Sequence, residues 1–535
     1  MFNKLTAAIE AWRRALGESA VLTDTDSVAR FSQDTGRFKQ SIPAVLRPAT
    51  VEQVISLLKI AGKWKVPVYP ISTGRNWGYG TANPVTEGCA LVDLSAMNRI
   101  LALDAATGLA TLEPGVTQSQ LRNVLDQHKL HYLVPVTGAG PDCSLVGNAV
   151  ERGYGITPNA DHFGAVTWLE AVLPNGDLYQ GALSGLGCSD LDHSFKWGMG
   201  PYLDGLFTQG AFGIITKMTI ALAPIPTRTE AFFFSLPRDC DLEGAVEAVR
   251  DVLTEVGSIS GSINLMNARR MMSMTESYPR DIVPQGSIMS DNLVIERSRR
   301  YQICPWTGVG ALYGDSSIVK AAKSLVRKRL RGHVKRLMFF TPSLARLAHN
   351  FTSVLPQRGG RLGKMTENLN LTLQLLSGEP SEIALPLAYW KSMRQPLKGN
   401  IDPARDGCGL TWYSPLVPMS AERVRNYVTM VETICRKHQI EPLITLTSLS
   451  PRVFDSTVPI LFDANNPEES DRADACYREL FETGRTEGYL PYRMGVQYMN
   501  LVTGADTSYW RLVQSLKQTV DPDDILAPGR YCPPY

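Results

Sequence analysis

The stretch Pro70-Ile71-Ser72-Thr73-Gly74-Arg75-Asn76-Trp77-Gly78-Tyr79-Gly80 constrains this chain more than any other. It follows the apolar run Val66-Pro67-Val68-Tyr69, which reads as the end of a short buried strand. Gly74, Gly78 and Gly80 permit positive φ and let the backbone come close to something bulky. Ser72, Thr73 and Asn76 add small donors, and successive backbone N–H groups in such a turn form a concave anion nest. The stretch is not a Walker loop, because no Gly-Lys-Ser/Thr follows, and it lacks the Gly-x-Gly-x-x-Gly spacing of a dinucleotide fingerprint. An apolar strand feeding a donor-rich turn suits a pyrophosphate cradle. The composition alone suits a tight turn between strands equally well.

Two later stretches have the same texture. Residues Thr137 to Gly155 contain five glycines, too many for a regular helix or strand. Gly205-Leu206-Phe207-Thr208-Gln209-Gly210-Ala211-Phe212-Gly213-Ile214-Ile215 passes from a loop into a β-branched strand. A large ligand lying against several backbones explains three such stretches better than three ordinary turns do.

The 535 residues suffice for more than one domain, or one large elaborated domain, with a sizeable core. Apolar content of 44% and charged content of 20% belong to an ordinary globular protein. A net charge of +2 gives no argument for nucleic acid or an anionic membrane surface. Nothing resembles a membrane span, and the opening Met1 to Trp12 reads as an amphipathic helix without the apolar core of a signal peptide, so a cytoplasmic location is expected. A partner carrying the chain to the periplasm is the alternative. Nine cysteines without a Cys-x-x-Cys pair suit free buried thiols and argue against a zinc site or a disulfide framework.

Along the chain, residues 1 to about 37 read as helical. A helix starts at Thr50 and runs to Ala61, and short strands are expected at 89–94, 100–103 and 109–116, followed by a helix over 117–131. Strands alternating with helices indicate an α/β or α+β fold. From Thr227 the texture changes, with an aromatic strand at Phe232-Phe233-Phe234. The basic run Arg327-Lys328-Arg329-Leu330-Arg331 reads as a solvated helix face. Residues 408–460 read as strand, helix, strand, and Asn466-Pro467-Glu468-Glu469 caps a helix through about residue 487.

Taken in order, three motifs resemble the vanillyl-alcohol-oxidase and p-cresol-methylhydroxylase flavoproteins. They are Thr73-Gly74-Arg75-Asn76-Trp77-Gly78-Tyr79-Gly80, Val146-Gly147-Asn148-Ala149-Val150-Glu151-Arg152-Gly153-Tyr154-Gly155, and Gly200-Pro201-Tyr202-Leu203-Asp204-Gly205-Leu206-Phe207-Thr208-Gln209. The tail agrees in Asn466-Pro467-Glu468-Glu469, Pro491-Tyr492-Arg493 and Asp521-Pro522 to Gly529-Arg530. The resemblance spans nearly the whole chain, weakest between about 250 and 365. It implies an α+β fold: a two-part FAD-binding domain whose N-terminal part is 1–226, a substrate cap at 227–470, and a segment, 471–535, returning to the FAD and the active site. It implies that backbone amides grip FAD. The implied cofactor-binding positions are Pro70, Ser72, Thr73, Gly74, Arg75, Asn76 and Gly78; Ser144, Gly147, Asn148, Glu151, Arg152, Gly153 and Gly155; and Gly210, Gly213, Ile214 and Arg530.

The resemblance further implies hydride removal from the benzylic carbon of a para-substituted phenol, through a quinone methide. Electrons then pass to a separate c-type cytochrome or another acceptor. An oxidase reducing O₂ to H₂O₂, a flavin-fold enzyme for a non-phenolic substrate, and a binding subunit are the alternatives. No Cys-x-x-Cys-His is present, so any cytochrome is a separate chain. A homodimer is in keeping with the family. Ionising a phenol at pH 7 requires a shift of about 3 units, roughly 4 kcal/mol. Hydrogen bonds involving a charged group contribute on the order of 1.5–3 kcal/mol each, so two or three convergent donors, one of them cationic, suffice. The family's phenolate-binding motif maps to Tyr79, Tyr492 and Arg530, with Arg493 adjacent.

Departures from the family pattern are informative. Leu410 stands where the oxidases have a flavin-linked histidine. The cresol enzyme's flavin-linked tyrosine falls at Ala388, with Tyr389 one residue away and the only candidate for a covalent bond; a strand slip of one residue reverses the side-chain face. Non-covalent FAD is at least as consistent. The cresol enzyme's catalytic glutamate and histidine fall near Leu446 and Asp455, the oxidases' carboxylate falls near Ala139, and a pocket tyrosine becomes Ile156. Asp455 and Asp142 are the candidates to replace the missing base.

Overall fold

The computed structural model describes residues 2–353, 361–397 and 399–533. The fold is α+β, built on three sheets. The first is four-stranded, in the order Val21–Leu22, Val45–Leu46, Ala90–Asp93, Val68–Ile71. Its last three strands run parallel. The helix Val51–Trp64 packs its apolar face on it, with Val54, Leu57, Leu58 and Ala61 buried. Thr50 caps that helix, its hydroxyl accepting the Gln53 N–H at 3.3 Å, which satisfies one of the free amides of the first turn.

The second sheet is a five-stranded antiparallel one in the order Ile100–Leu103, Leu109–Leu112, Ile214–Ala221, Val166–Val172, Leu178–Tyr179. The helix Gln118–Gln127 lies beside it, closed at its start by a reciprocal capping box between Thr117 and Gln120.

The third sheet is the largest. Its antiparallel path runs Arg336–Phe340, Arg228–Leu236, Trp306–Gly314, Asn264–Asn267, Thr445–Ser450, Val453–Phe462, Gly409–Tyr413, and Leu416–Pro418 pairs with Val453–Phe462 off this path. One large apolar cluster joins it to the helices Leu242–Val256, Ser316–Leu330, Ala421–Lys437 and Pro467–Glu487. The last starts where expected, with Asn466 Oδ1 accepting from Glu468 and Glu469. Arg329, in the basic run, is ion-paired with Asp251 and Glu255 on the neighbouring helix.

The C-terminal segment returns to the first sheet. Val68 N–H donates to Ile525 O at 2.8 Å, and Ala527 N–H donates to Val68 O at 2.8 Å. The fully buried Lys517 secures this return. Its ammonium donates to Ala211 O (2.9 Å) and Leu526 O (2.8 Å) and pairs with Asp521. A buried charge is tolerated only when it is paired and hydrogen-bonded, and here the partners tie residue 211 to residue 526. No helix among the described residues is long and apolar enough to cross a membrane.

Two expectations are corrected. The N-terminal 37 residues hold two helices, Phe2–Leu16 and Thr25–Phe31, with the strand Val21–Leu22 between them pairing with Val45–Leu46. Gly17, at φ 97°, ends the first. The glycine-rich 137–155 stretch does contain a helix, the short Leu145–Val150, because Ser144 caps it by accepting the Gly147 N–H at 2.8 Å.

Candidate functional site

The three glycine-rich stretches and the face of the largest sheet enclose a cavity of about 390 Å³. Pro70, Ser72, Thr73, Gly74, Arg75 and Asn76 line it from the first loop. Ser144, Gly147, Asn148, Glu151 and Gly153 line it from the second stretch, and Gly210, Gly213 and Ile214 from the third. At Gly147 an added Cβ would lie 3.0 Å from Ser72 Oγ. This close approach of the helix Leu145–Val150 to the first loop leaves little room for a side chain at position 147.

Other expected positions lie elsewhere. Gly78 is not in the wall. Its φ is +79°, and an added Cβ would lie 2.3 Å from Trp412 Cδ1. Its N–H donates to Thr35 Oγ1 at 2.9 Å, and its carbonyl accepts from Trp412 N–H at 3.2 Å. The bulky group that this glycine accommodates is therefore a tryptophan of the largest sheet. Arg152, at φ +53°, turns away to bond Thr208 Oγ1 at 3.0 Å. Gly155 packs on His162, where an added Cβ would lie 2.6 Å from Nε2. Asp142 is exposed, ion-paired to Arg75 at 3.0 Å and outside the wall.

Tyr389 belongs to a 3-10 helix, Leu385–Tyr389, so the argument from alternating strand faces does not apply. Ala388 lines the cavity, while the buried Tyr389 donates its hydroxyl to Asp406 Oδ2 at 2.6 Å. Leu410 and Ala139 also face the cavity. Leu446 is wholly buried in the sheet core.

The polar end of the cavity draws on distant parts of the chain. Tyr79 is buried and shares a hydrogen bond of 2.8 Å with Ser414 Oγ. Burial pushes its hydroxyl up to about 12, against the pull of Arg493. The Arg493 guanidinium lies 4.3 Å from the Tyr79 ring centroid and donates to Asn76 Oδ1. Tyr492 meets the edge of Tyr154, ring centroids 5.5 Å apart, and burial also holds its hydroxyl well above the usual range. Glu151 neutralises part of the positive charge, with Arg493 Nε 3.2 Å from its carboxylate and Arg530 Nη2 donating to it. Two arginines and one glutamate leave a net single positive charge. Arg530 also donates to Tyr69 Oη at 2.6 Å, so Arg493 is the arginine nearer the tyrosine pair.

Asp455 completes this end. It sits on the strand Val453–Phe462, opposite Leu416 and Thr447, with its carboxyl buried in the cavity wall. Oδ1 is buried without a hydrogen-bond partner among the described residues. Desolvation raises its pKa to about 7, against the attraction of Arg493. The aspartate is thus poised to take up or release a proton near neutrality.

Tyr69, Tyr154 and Arg270 complete the polar wall, Ser414 stands behind Tyr79, and none of the four carries a sequence signal strong enough to find it alone. Ser414 lies within the segment Cys408 to Pro415, which the family comparison marks for its leucine. Tyr154 lies within the second glycine-rich motif.

The cradle fits FAD. Its loop has a left-handed turn at Gly74 (φ +67°) and small donors, one helix approaches so closely that a Cβ would be crowded, and apolar residues such as Leu385 and Leu410 line the other side. Ser72 to Asn76, Gly147 and Gly210 to Gly213 would hold the cofactor there.

Comparisons with known proteins agree. Residues 42–181 match the family model of an FAD binding domain. A 1'-carboxy-chondrochloren decarboxylase from Chondromyces crocatus is 35% identical, over 98% of this chain and 97% of that protein. The 4-cresol dehydrogenase [hydroxylating] flavoprotein subunit of Pseudomonas putida is 29% identical, over 99% of this chain and 95% of that one. A crystal structure of p-cresol methylhydroxylase with substrate bound superposes with a TM-score of 0.88 at 27% identity, covering 100% of this chain and 98% of the other. Fold, cradle and relatives lead to one conclusion: the chain belongs to the vanillyl-alcohol-oxidase/p-cresol-methylhydroxylase family of FAD-dependent oxidoreductases.

Proposed function

We propose that this enzyme takes a hydride from the benzylic carbon of a para-substituted phenol. The observation that carries this reading is the convergence of Tyr79, Tyr492, Arg493 and Asp455 at one end of the cavity. Bound FAD supplies the two-electron acceptor for the hydride. The chain's own part is to hold the phenol oxygen and to lower the cost of ionising it. Tyr79, Tyr492 and Arg493 point donors or charge at that oxygen, and the net positive charge of the Arg493–Glu151–Arg530 cluster favours a phenolate. Asp455 lies among these same groups, which suits it to accept the phenol's proton at Oδ1. A carboxyl that gains this proton becomes neutral and can donate a hydrogen bond back to the phenolate, so no buried like-charge pair arises. Water then adds to the electron-poor benzylic carbon.

FAD is held without a covalent bond in this proposal, because Ala388 occupies the wall position and the Tyr389 hydroxyl is engaged by Asp406. The electrons leave through a separate subunit; a relative named as a flavoprotein subunit supports this. Peroxide formed in air would mark an oxidase instead. The decarboxylase relative favours a second outcome for the same first step. A carboxylate on the carbon next to the benzylic one leaves as CO₂, and the electrons of the broken C–C bond form an alkene as the ring regains aromaticity.

Mixing the flavoenzyme anaerobically with a panel of 4-alkylphenols and aliphatic alcohols tests the reading. Phenols should bleach the flavin and alcohols should not; the reverse pattern rejects it. Arg493→Met and Tyr492→Phe should each slow reduction about 10- to 100-fold, the loss of one or two charge-assisted hydrogen bonds, with flavin retained. Unchanged rates in both would remove the phenolate assignment.

A further inference from the structure

The cavity wall contains a further cation, Arg270, distinct from the phenol-binding group. It follows Arg269 at the start of the helix Ala268–Thr275, and the contrast between these neighbours is informative. Arg269 is charge-compensated, with Nη1 on Glu441 at 2.5 Å and on Met289 O at 3.0 Å, and Nη2 on Asp291 at 2.9 Å. Arg270 has no carboxylate partner among the described residues. Of the five N–H groups of a guanidinium, one is used within the chain, on Ser273 Oγ at 3.0 Å. Burial pulls its pKa down to about 10, and no acidic neighbour opposes that pull. It remains cationic at neutral pH, part-buried in the cavity wall and without a counter-charge among the described residues. Such a charge is costly unless a counter-charge completes it.

Every arginine of the cavity wall except this one has its acid: Arg75 has Asp142, and Arg493 and Arg530 share Glu151. The position of Arg270 says which ligand would serve. Arg493 acts on Asp455 and on Tyr79, whereas Arg270 acts on neither. It stands on the helix Ala268–Thr275, which packs against the segment Leu385–Tyr389, so the apolar Leu385, Leu387 and Ala388 lie on its side of the cavity.

We propose that Arg270 binds a carboxylate carried on the side chain of the substrate, making the preferred substrate an anionic para-substituted phenol. The proposal rests on the phenol reading of the same cavity. The guanidinium offers a planar pair of donors that matches a carboxylate, and the apolar wall accommodates the carbon chain between the two polar ends.

The test uses the flavoenzyme under argon with two probes of nearly equal shape, 3-(4-hydroxyphenyl)propanoate and its uncharged amide. The half-saturating concentration for flavin reduction is read for each. The native enzyme should prefer the carboxylate at least tenfold. Arg270→Met should bring that ratio close to one, Arg270→Lys should restore part of it, and both should retain FAD. Equal half-saturation for the two probes in the native enzyme overturns the proposal without need of any variant. A native preference that survives in Arg270→Met also overturns it. Reduction by the amide without any dependence on Arg270 leaves the phenol reading standing. Reduction by neither probe nor any 4-alkylphenol removes both.

Discussion

The two sides of the cavity are made in different ways. On the cradle side, the wall residues are sequence neighbours: Pro70 to Asn76, Ser144 to Gly153, Gly210 to Ile214. Backbone shape and the absence of side chains do the work, as at Gly147 against Ser72. On the opposite side, Arg270, Leu385, Leu410, Asp455 and Tyr492 come from five separate stretches. Isolated side chains on strands and short helices do the work there. A cofactor common to a whole family can be held by short loop shapes, because the contacts are local. A substrate is recognised by single groups whose neighbours are set by the packing of the large sheet, and these can be replaced one at a time. Leu410, Ala139 and Ala388, where the sequence resemblance implies reactive side chains in relatives, lie in this wall.

The sharpest way to break this contrast is to fill the cradle. Gly147→Val adds atoms where a Cβ already lies 3.0 Å from Ser72 Oγ. Overpacking costs on the order of 1–3 kcal/mol, so flavin affinity should fall about tenfold or more. The ratio of flavin to protein absorbance in purified protein reads this directly. A full flavin complement would show that the helix Leu145–Val150 is not part of the cradle.

The second prediction concerns Asp455. If it takes the phenol proton, the rate of flavin reduction should rise with pH through about 7 as the carboxyl ionises. Asp455→Asn should remove that rise and slow reduction about tenfold or more. Stability should move the other way. The folded carboxyl holds its proton up to about 7, against 3.8 for an ordinary aspartate. The folded state therefore binds the extra proton between these values, and stability falls as pH rises from about 4 to about 7. Asp455→Asn should raise the melting temperature at pH 8, by roughly 1–4 kcal/mol in stability, and leave it unchanged near pH 3.5. A slowed enzyme with an unaltered pH profile would make Asp455 a packing residue.

The smallest expected effect is at Ser414. Ser414→Ala removes the partner of the Tyr79 hydroxyl, worth about 1 kcal/mol, so reduction should slow about fivefold with flavin retained. An effect as large as that of Tyr492→Phe would place Ser414 on the substrate itself.

The cradle was legible because its signal is compositional. Glycines at loop positions, small donors and a preceding apolar strand can be recognised without knowing where the rest of the chain goes, and Thr50, Thr117 and Asn466 announced their helices in the same local way. Gly78 shows the limit. Its glycine is required, but the group pressed against it is Trp412, more than three hundred residues away, and not a cofactor. Tyr389 shows a second limit. One residue decides whether a hydroxyl faces the cavity or Asp406, and a 3-10 segment does not follow the alternation of a strand. Asp142 shows a third. A loop aspartate beside the second motif proved to be the exposed partner of Arg75.

The amino-acid sequence by itself determined that this chain has a glycine-lined cradle and an α+β architecture, and its motif order placed it in its family. These follow from local backbone freedom, hydrophobic pattern and motif order. Only the tertiary structure decided that Asp455 is buried beside Tyr79 and Tyr492, that Glu151 sits between two arginines, and that Arg270 lacks the acid its neighbour has. The reason is physical: burial and charge pairing are properties of what surrounds a side chain. Those surroundings come from strands and loops far apart along the chain.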